Sequence, residues 1–260
     1  MIVYYLLNLI KKQLIKGLKN KAGRNFFGRV CIFGRGGGNK RKYRYIDFFR
    51  RLNSYGIVIK IYRDPIRTAK LCLILYLNGF NAFSLLQKDV SLNQYIYSGN
   101  MCPNNIDLIR NGYSLILKYM PLFTGLSNIE LKPLLGSKVV RAASVNAIMV
   151  SKNNESAVLK LNSKWLIKLS INCMASLGRI SSIYFNDIII GKAGKNRALG
   201  YRPKVRGVAK NPCDHPHGGG NGKKAKPKVP VNAWKTVFKW HHTKLKKSDI
   251  LKRRLYKQLD

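Results

Sequence analysis

The sequence predicts an all-β chain, with two antiparallel modules in series and a basic extension behind them. Three observations carry this. Apolar runs are short and end at polar turns, with no long helical period between them. Asn78-Gly79 lies between two such runs, the strongest short-range signal for a hairpin. From Val145 to Leu169 the pattern runs as a meander, turning at Asn153-Asn154 and at Asn162-Ser163. With 260 residues, 46% of them hydrophobic, the chain can build one or two cores.

In chain order, an N-terminal extension is expected over residues 1–22. Leu6, Leu7, Ile10, Leu14 and Leu18 fall near helical spacing, so a short amphipathic helix packing on protein is expected there. The stretch lacks a signal-peptide cleavage site and the Arg/Ser bias of a transit peptide. No apolar run reaches the length of a membrane span. The first module is expected over 23–103. Phe27 to Phe33 reads as a strand running into Gly36, Gly37 and Gly38. Ile57 to Tyr62 is a strand ended by Asp64-Pro65. Ala69 to Leu77 and Phe80 to Leu86 flank the Asn-Gly turn. Short strands joined by polar turns point to a small barrel.

Asn104, Asn105 and Asp107 read as a connection, and a second module follows over 104–190. Tyr113 to Pro121 and Asn128 to Lys132 are expected as short strands. Val145 to Ser151, Ser156 to Leu161 and Lys164 to Leu169 form the meander. Ala157, Leu159 and Leu161 alternate with Val158 and Lys160, which predicts one buried face. Trp165 reads as a core residue. Ile183 to Ile190 is expected to close the module. Beyond Gly191 the apolar pattern stops, and 191–260 is expected as a basic arm.

Charge identifies the partner class. Lys and Arg number 49 against 10 Asp and Glu, a formal net charge of +39. A free protein so unbalanced repels itself and binds polyanions; residence on nucleic acid resolves both problems. The imbalance lies at the ends. Residues 1–60 hold 15 basic groups and one acid, and 191–260 hold 20 and three; 71–190 hold 11 and five. So few acids exclude most two-carboxylate hydrolytic chemistry.

Two stretches concentrate the chemistry. In GRGGGNKRKYRY, the glycines open the backbone, and Lys40, Arg41, Lys42 and Arg44 are interleaved with Tyr43 and Tyr45. Such a loop can hold phosphates by amides and charge while a ring stacks on a base. It is not a P-loop, because the G-x-x-x-x-G-K-[ST] spacing is absent. In RGVAKNPCDHPHGGGNG, Pro212 and Pro216 fix the backbone and three glycines free it. The stretch has few apolar side chains, so its shape is expected to come from what it binds.

The cysteines (Cys31, Cys72, Cys102, Cys173 and Cys213) form no C-x-x-C pair and read as reduced thiols. His215 and His217 with Cys213 and Asp214 could be imagined as a metal site, but four ligands at zinc spacing are not evident. The remaining histidines, His241 and His242, read as RNA contacts. A hydrolytic or RNA-processing enzyme using Asp214, His215 and His217 is the competing reading. No paired carboxylates or nucleophile–base spacing accompany it.

GRNFFGRV, GRGGGNKRKYRYIDFFR, YRDPIRTAKLCLILY, AASVNAIMV, ASLGRI, the run GKAGKNRALGYRPKVRGVAKNPCDHPHGGGNGKK and the tail SDILKRR together resemble the ribosomal protein L2 family, uL2, over about residues 20 to 260. The resemblance implies an OB-like barrel, an SH3-like barrel and an extended arm threaded into rRNA. It implies a structural constituent of the large subunit that is not an enzyme. That constituent binds 23S-type rRNA and other ribosomal proteins, supports subunit association through a small-subunit bridge, and helps organise the peptidyl-transferase region. It also implies contacts residue by residue. Arg35, Gly36, Gly37, Gly38, Lys40, Arg41, Lys42 and Arg44 fall on an RNA-contacting loop. Lys192, Lys195, Arg197, Arg202, Lys204, Arg206 and Asn211 lead towards the catalytic RNA. Asp214, His215, His217, Gly218, Gly219, Gly220, Lys223 and Lys224 complete the set, with His215 in a positioning role. No protein-ligated cofactor is implied; Mg2+ or K+ would sit at the rRNA interface. The sequence departs from the family at Asn39, where histidine is usual, at Asn221, where glutamate is usual, and at Lys235, where glycine is common. Richness in Ile, Leu, Asn, Lys and Tyr fits an AT-rich genome, so a mitochondrial origin is expected, with plastid or bacterial cytoplasm as alternatives.

Overall fold

The computed structural model describes residues 13–101, 109–220, 230–237 and 250–252. The first twelve residues of the expected amphipathic helix, the 102–108 connection, Asn221, Lys223, Lys224, His241 and His242 lie outside them. The chain divides into two compact units. One is built on Arg41–Ile188 with Met1–Leu18 and Leu245–Asp260; the other combines Lys19–Lys40 with Ile189–Lys244.

The first unit is all-β. Strands β1 (Ile15–Gly17) and β2 (Lys42–Arg44) form a short antiparallel ribbon. Strands β3 (Ser54–Arg63), β4 (Lys70–Tyr76), β5 (Asn81–Leu85) and β6 (Tyr95–Ser98) pair antiparallel in the order β6-β3-β4-β5. The expected hairpin is present: the Gly79 N–H donates to the Tyr76 carbonyl at 2.9 Å, and the Tyr76 N–H to the Phe80 carbonyl at 2.9 Å. Strand β4 reads KLCLILY without alternation because both its faces are covered. Leu71 and Leu73 pack with Phe83, Leu85 and Ile180 in one core. Cys72 and Ile74 join a larger core with Val58, Ile96 and Leu115.

The second module contains β7 (Ser114–Ile116), β8 (Gly125–Ser127), β9 (Ile129–Glu130), β10 (Ser137–Val139), β11 (Ala147–Lys152), β12 (Ser156–Leu161), β13 (Leu166–Ser170) and β14 (Met174–Leu177). The meander β11-β12-β13 has the expected turns. Ala157 and Leu159 are fully buried while Lys160 is exposed. These strands continue the main sheet as β13-β12-β11-β8-β14-β7, with β9 and β10 paired separately. Both predicted modules are therefore present, OB-like first and SH3-like second. They join where β6 meets β7, the one parallel step of this sheet among the described residues, Ser98 opposite Ser114.

Five sequence expectations need correction. The expected amphipathic helix does not run through to Leu18, because Ile15–Gly17 is strand β1, paired with β2. Phe27 to Phe33 is not a strand. Turns at Asn25 and Gly28 fold the stretch back, leaving a single bridge between Arg24 and Val30. Ile183 to Ile190 does not close the second module; Ile183–Asp187 is a 3-10 turn, and Ile189 is 87% exposed. Closure falls to β14, which pairs with both β7 and β8. Its sequence, MASL, is buried throughout and so carries neither alternation nor β-branched residues. Finally, the C-terminal segment is not arm to its end. Strand β15 (Ile250–Lys252) pairs antiparallel with β13, whose free edge offers unpaired amides and carbonyls. Trp165, expected in the core, is half-buried at the turn into β13.

Scarce acids are used as internal joints. Glu130 is fully buried. Its carboxylate accepts from Arg51 Nη2 at 2.8 Å, the Gly136 N–H at 3.0 Å and the Met174 N–H at 3.1 Å. Asp64 accepts from Arg44 and Arg67 at 3.4 and 3.0 Å. Arg50 is buried against neutral acceptors. Its guanidinium reaches Ser84 Oγ at 3.0 Å, Ser98 Oγ at 2.7 Å and the Gly112 carbonyl at 3.2 Å. Arg50 and Glu130 thereby tie the segment before β3 to the second module.

The thiols of the described residues separate into two classes. Burial pushes Cys72 up to about 11, and burial with the nearby Glu130 carboxylate pushes Cys173 up to about 12. Cys31 and Cys213 are exposed. Alkylation of the native protein at neutral pH should label Cys31 and Cys213, and leave Cys72 and Cys173 untouched until denaturant is added. Mass spectrometry of the labelled peptides checks this; native labelling of Cys173 would contradict the packing described.

Candidate nucleic-acid interface

The second unit is where the two basic stretches meet. Residues 34–40, the glycine loop, run alongside 198–204. The Arg202 N–H donates to the Gly34 carbonyl at 3.0 Å, the Gly36 N–H to Gly200 at 3.1 Å, and the Asn39 N–H to Ala198 at 2.9 Å. The contact is backbone on backbone, which explains the glycines. Gly38 has φ +83, and a Cβ there would sit 2.6 Å from the Gly200 nitrogen and 2.8 Å from the Ala198 carbonyl oxygen. Asn20 donates to the Gly37 carbonyl at 2.9 Å from the other side.

This packing aims cations outward. Helix α1 (Ala193–Ala198) is a single short turn-and-a-half carrying Lys195 and Arg197. The Arg35 guanidinium lies 4.3 Å from the centre of the Tyr201 ring, a cation–π pair that fixes the rim of the loop. Arg35, Lys40, Lys192, Lys195, Arg197, Arg202, Lys204 and Arg206 are all exposed. Asp214 is the unit's only acid among the described residues. A surface of one sign on small, open backbone suits a phosphate chain.

The segment 206–220 is shaped largely by its own contacts, contrary to the expectation that a partner must supply its form. Ala209 and Lys210 close a 3-10 turn onto Arg206 and Gly207. The Asp214 and His215 N–H groups donate to the Asn211 carbonyl at 3.1 and 3.3 Å, the Gly218 N–H to His215 at 2.8 Å, and the Gly219 N–H to Lys210 at 3.2 Å. Gly218 is buried against the Asn211 carbonyl, where no side chain fits. Local hydrogen bonds and prolines thus replace the apolar core that the composition denies it.

Both histidines act as acceptors. His215 Nδ1 accepts the His217 N–H at 3.0 Å, and His217 Nε2 accepts the Val231 N–H at 3.2 Å. This pattern requires neutral imidazoles and assigns the His215 proton to Nε2. Desolvation, then the neighbouring His217 and Lys210, holds the His215 pKa below the ordinary value. Among the described residues, no carboxylate contacts either ring, and no three His, Cys, Asp or Glu side chains group as a metal site. The lone pairs of His215 Nδ1 and His217 Nε2 are thus engaged by backbone amides.

The sequence-predicted set is therefore divided. Arg35 to Lys40, Lys192 to Arg206, Asn211 and Asp214 to Gly220 share the second unit. Arg41, Lys42 and Arg44 belong to the first, and Arg44 is tied to Asp64 there. Sequence reasoning missed Tyr201, Phe33 and Trp234. Phe33 and Trp234 stack at 4.7 Å with an 18° interplanar angle, and Lys210 Nζ lies 5.4 Å from the Phe33 ring centre. Lys235, where glycine is common in the family, has φ +64 in the turn that presents Trp234. The left-handed conformation is the physical reason for glycine there.

Two family models match the chain. "Ribosomal Proteins L2, RNA binding N-terminal domain" covers residues 11–98, and "Ribosomal Proteins L2, C-terminal domain" covers 110–235. Among curated proteins, the chain is similar to the large ribosomal subunit protein uL2 of Rickettsia bellii strains OSU 85-389 and RML369-C. Each is 42% identical over 224 residues, covering 86% of this chain and 80% of the relative.

Proposed function

The chain belongs to the L2 family of ribosomal proteins, and from that premise we propose that it is a structural constituent of the large ribosomal subunit that holds rRNA on its second unit. The observation that carries this is the packing of the glycine loop on 198–204, which gathers two distant basic segments into one cationic surface. Its partners are large-subunit rRNA and neighbouring ribosomal proteins. Among the described residues no helix is long and apolar enough to cross a membrane. The division into an extension (1–22), an OB-like domain (23–103), an SH3-like domain (104–190) and a basic arm (191–260) is part of this reading. The parallel step between β6 and β7 supports the middle boundary.

On this reading Arg35, Lys40, Lys192, Lys195, Arg197, Arg202, Lys204 and Arg206 contact phosphates, and the 206–220 segment lies beside the peptidyl-transferase region. His215 orients that segment, and with its Nδ1 lone pair engaged by the His217 N–H it has no free lone pair to serve as a general base. The protein is not an enzyme. Arg41 and Lys42, which belong to the first unit, and Lys223 and Lys224, which lie outside the described residues, contact rRNA as well. A small-subunit bridge and bound Mg2+ or K+ at the RNA contact belong to the same proposal. A mitochondrial ribosome is the favoured location, supported by the Ile-, Lys-, Asn- and Tyr-rich composition.

Filter binding of the full chain to a large-subunit rRNA transcript tests the reading. Log affinity should fall steeply and linearly with log salt. Arg202→Glu with Lys204→Glu should weaken binding and flatten the slope, and no RNA cleavage should accumulate. Affinity insensitive to salt, or unmoved by the paired reversal, would defeat it.

A further inference from the structure

The Phe26–Phe27 pair has no role in the contacts described so far. Both rings are exposed, Phe26 at 90% and Phe27 at 81%. Two phenyl rings held in water lose the burial that normally justifies them. Nor are they on a loose tail. The Asn25 N–H donates to the Arg29 carbonyl at 2.9 Å, and the Arg29 N–H returns to Asn25 Oδ1 at 2.9 Å. Gly28 closes the turn on the Asn25 carbonyl at 3.3 Å, and the Arg24–Val30 bridge ties the stems. The rings meet edge to face at 5.6 Å, 83° apart. Their outer faces remain uncovered, and they point in two directions from one rigid tip.

The surroundings specify the occupant. Lys21, Arg24 and Arg29 flank the tip, and residues 19–40 contain no acid. A protein partner recognised through an apolar pair would more naturally meet it in a neutral or mixed surround. Cations beside open aromatic faces match unpaired nucleotides, whose bases stack while their phosphates meet the cations.

We propose that Phe26 and Phe27 form a base-stacking tip that engages unpaired nucleotides of the large-subunit rRNA. This inference rests on the RNA-binding reading above and adds a contact of a different kind to its phosphate surface. Stacking tolerates any base but requires a flat ring. Leucine therefore cannot replace phenylalanine, and tryptophan can.

The test measures affinity of the full chain for a large-subunit rRNA transcript across a salt series, with thermal melts to verify folding. Phe26→Ala/Phe27→Ala and Phe26→Leu/Phe27→Leu should each weaken binding about tenfold or more with an unchanged salt slope. Phe26→Trp/Phe27→Trp should retain parental affinity. Chemical probing should show a few single-stranded nucleotides protected by the parent and exposed with the alanine variant. A leucine variant as tight as the parent would overturn stacking in favour of plain apolar contact. So would an alanine variant that binds rRNA normally but fails to join other ribosomal proteins, which would make the tip a protein contact. If the alanine variant binds normally while Arg202→Glu/Lys204→Glu does not, the tip proposal falls and the phosphate surface stands. If neither variant matters, the RNA reading itself falls.

Discussion

Replacing Glu130 by alanine should destabilise the first unit by about 3–5 kcal/mol, the cost typical of removing one member of a buried charge pair. The carboxylate is wholly buried and serves three donors at once: Arg51 and the amides of Gly136 and Met174. Alanine strands all three, and water cannot reach the two amides to replace the lost acceptor. Those donors lie before β3, before β10 and at the start of β14, so the loss loosens the closing strand of the second module. Glu130→Gln keeps an acceptor oxygen but loses the charge opposite Arg51, so its cost should be smaller. Denaturant unfolding of the full chain with rRNA absent checks the order: parent, then glutamine, then alanine. Adding Arg51→Met to the alanine variant should recover part of the loss by removing the unpaired guanidinium. An alanine variant within about 0.5 kcal/mol of the parent, the range of ordinary surface substitutions, would remove Glu130 from its place as a joint.

The second large effect is expected at Gly38. Alanine there must adopt φ near +83, which costs about 1–2 kcal/mol. Its Cβ must also displace backbone at Ala198 and Gly200, not the tip of a flexible side chain. The cheapest relief is for the glycine loop to leave 198–204, breaking the Asn39–Ala198 and Gly36–Gly200 hydrogen bonds. Trypsin should then cut after Arg197 and Lys204 many-fold faster in Gly38→Ala than in the parent. Affinity for rRNA should fall although no cation has been removed. Gly37→Ala serves as the control, because its added Cβ meets nothing within 4 Å. It should show the conformational cost without the unpacking. Equal cleavage rates in all three proteins would mean that the loop does not hold the arm.

Much of this was legible because it depends on local chemistry. The Asn78-Gly79 hairpin, the alternation of Ala157 and Leu159, and the excess of cations at both ends each follow from residues close in the chain. The motifs carrying the L2 resemblance are contiguous as well, and they located most of the candidate interface. Errors arose where local pattern and tertiary surroundings disagree. Ile183 to Ile190 has the look of a strand, yet Ile189 is exposed; β14 has none of that look, yet it is buried between two strands. Phe27 to Phe33 is apolar enough for a strand, but the Asn25 side chain and amides turn it back on itself.

By itself, the sequence determined the all-β class, the two modules, the polyanion partner and the identity of the family. Composition, turn chemistry and contiguous motifs express those properties without any long-range contact. Only the tertiary structure decided that residues 19–40 and 189–220 form one unit, that Arg44 is held by Asp64, and that His215 Nδ1 and His217 Nε2 accept backbone N–H groups. Backbone-to-backbone packing between glycine-rich segments leaves no hydrophobic period to read. A pairing across more than 150 residues, through carbonyls and amides common to every residue type, is recorded only in three dimensions.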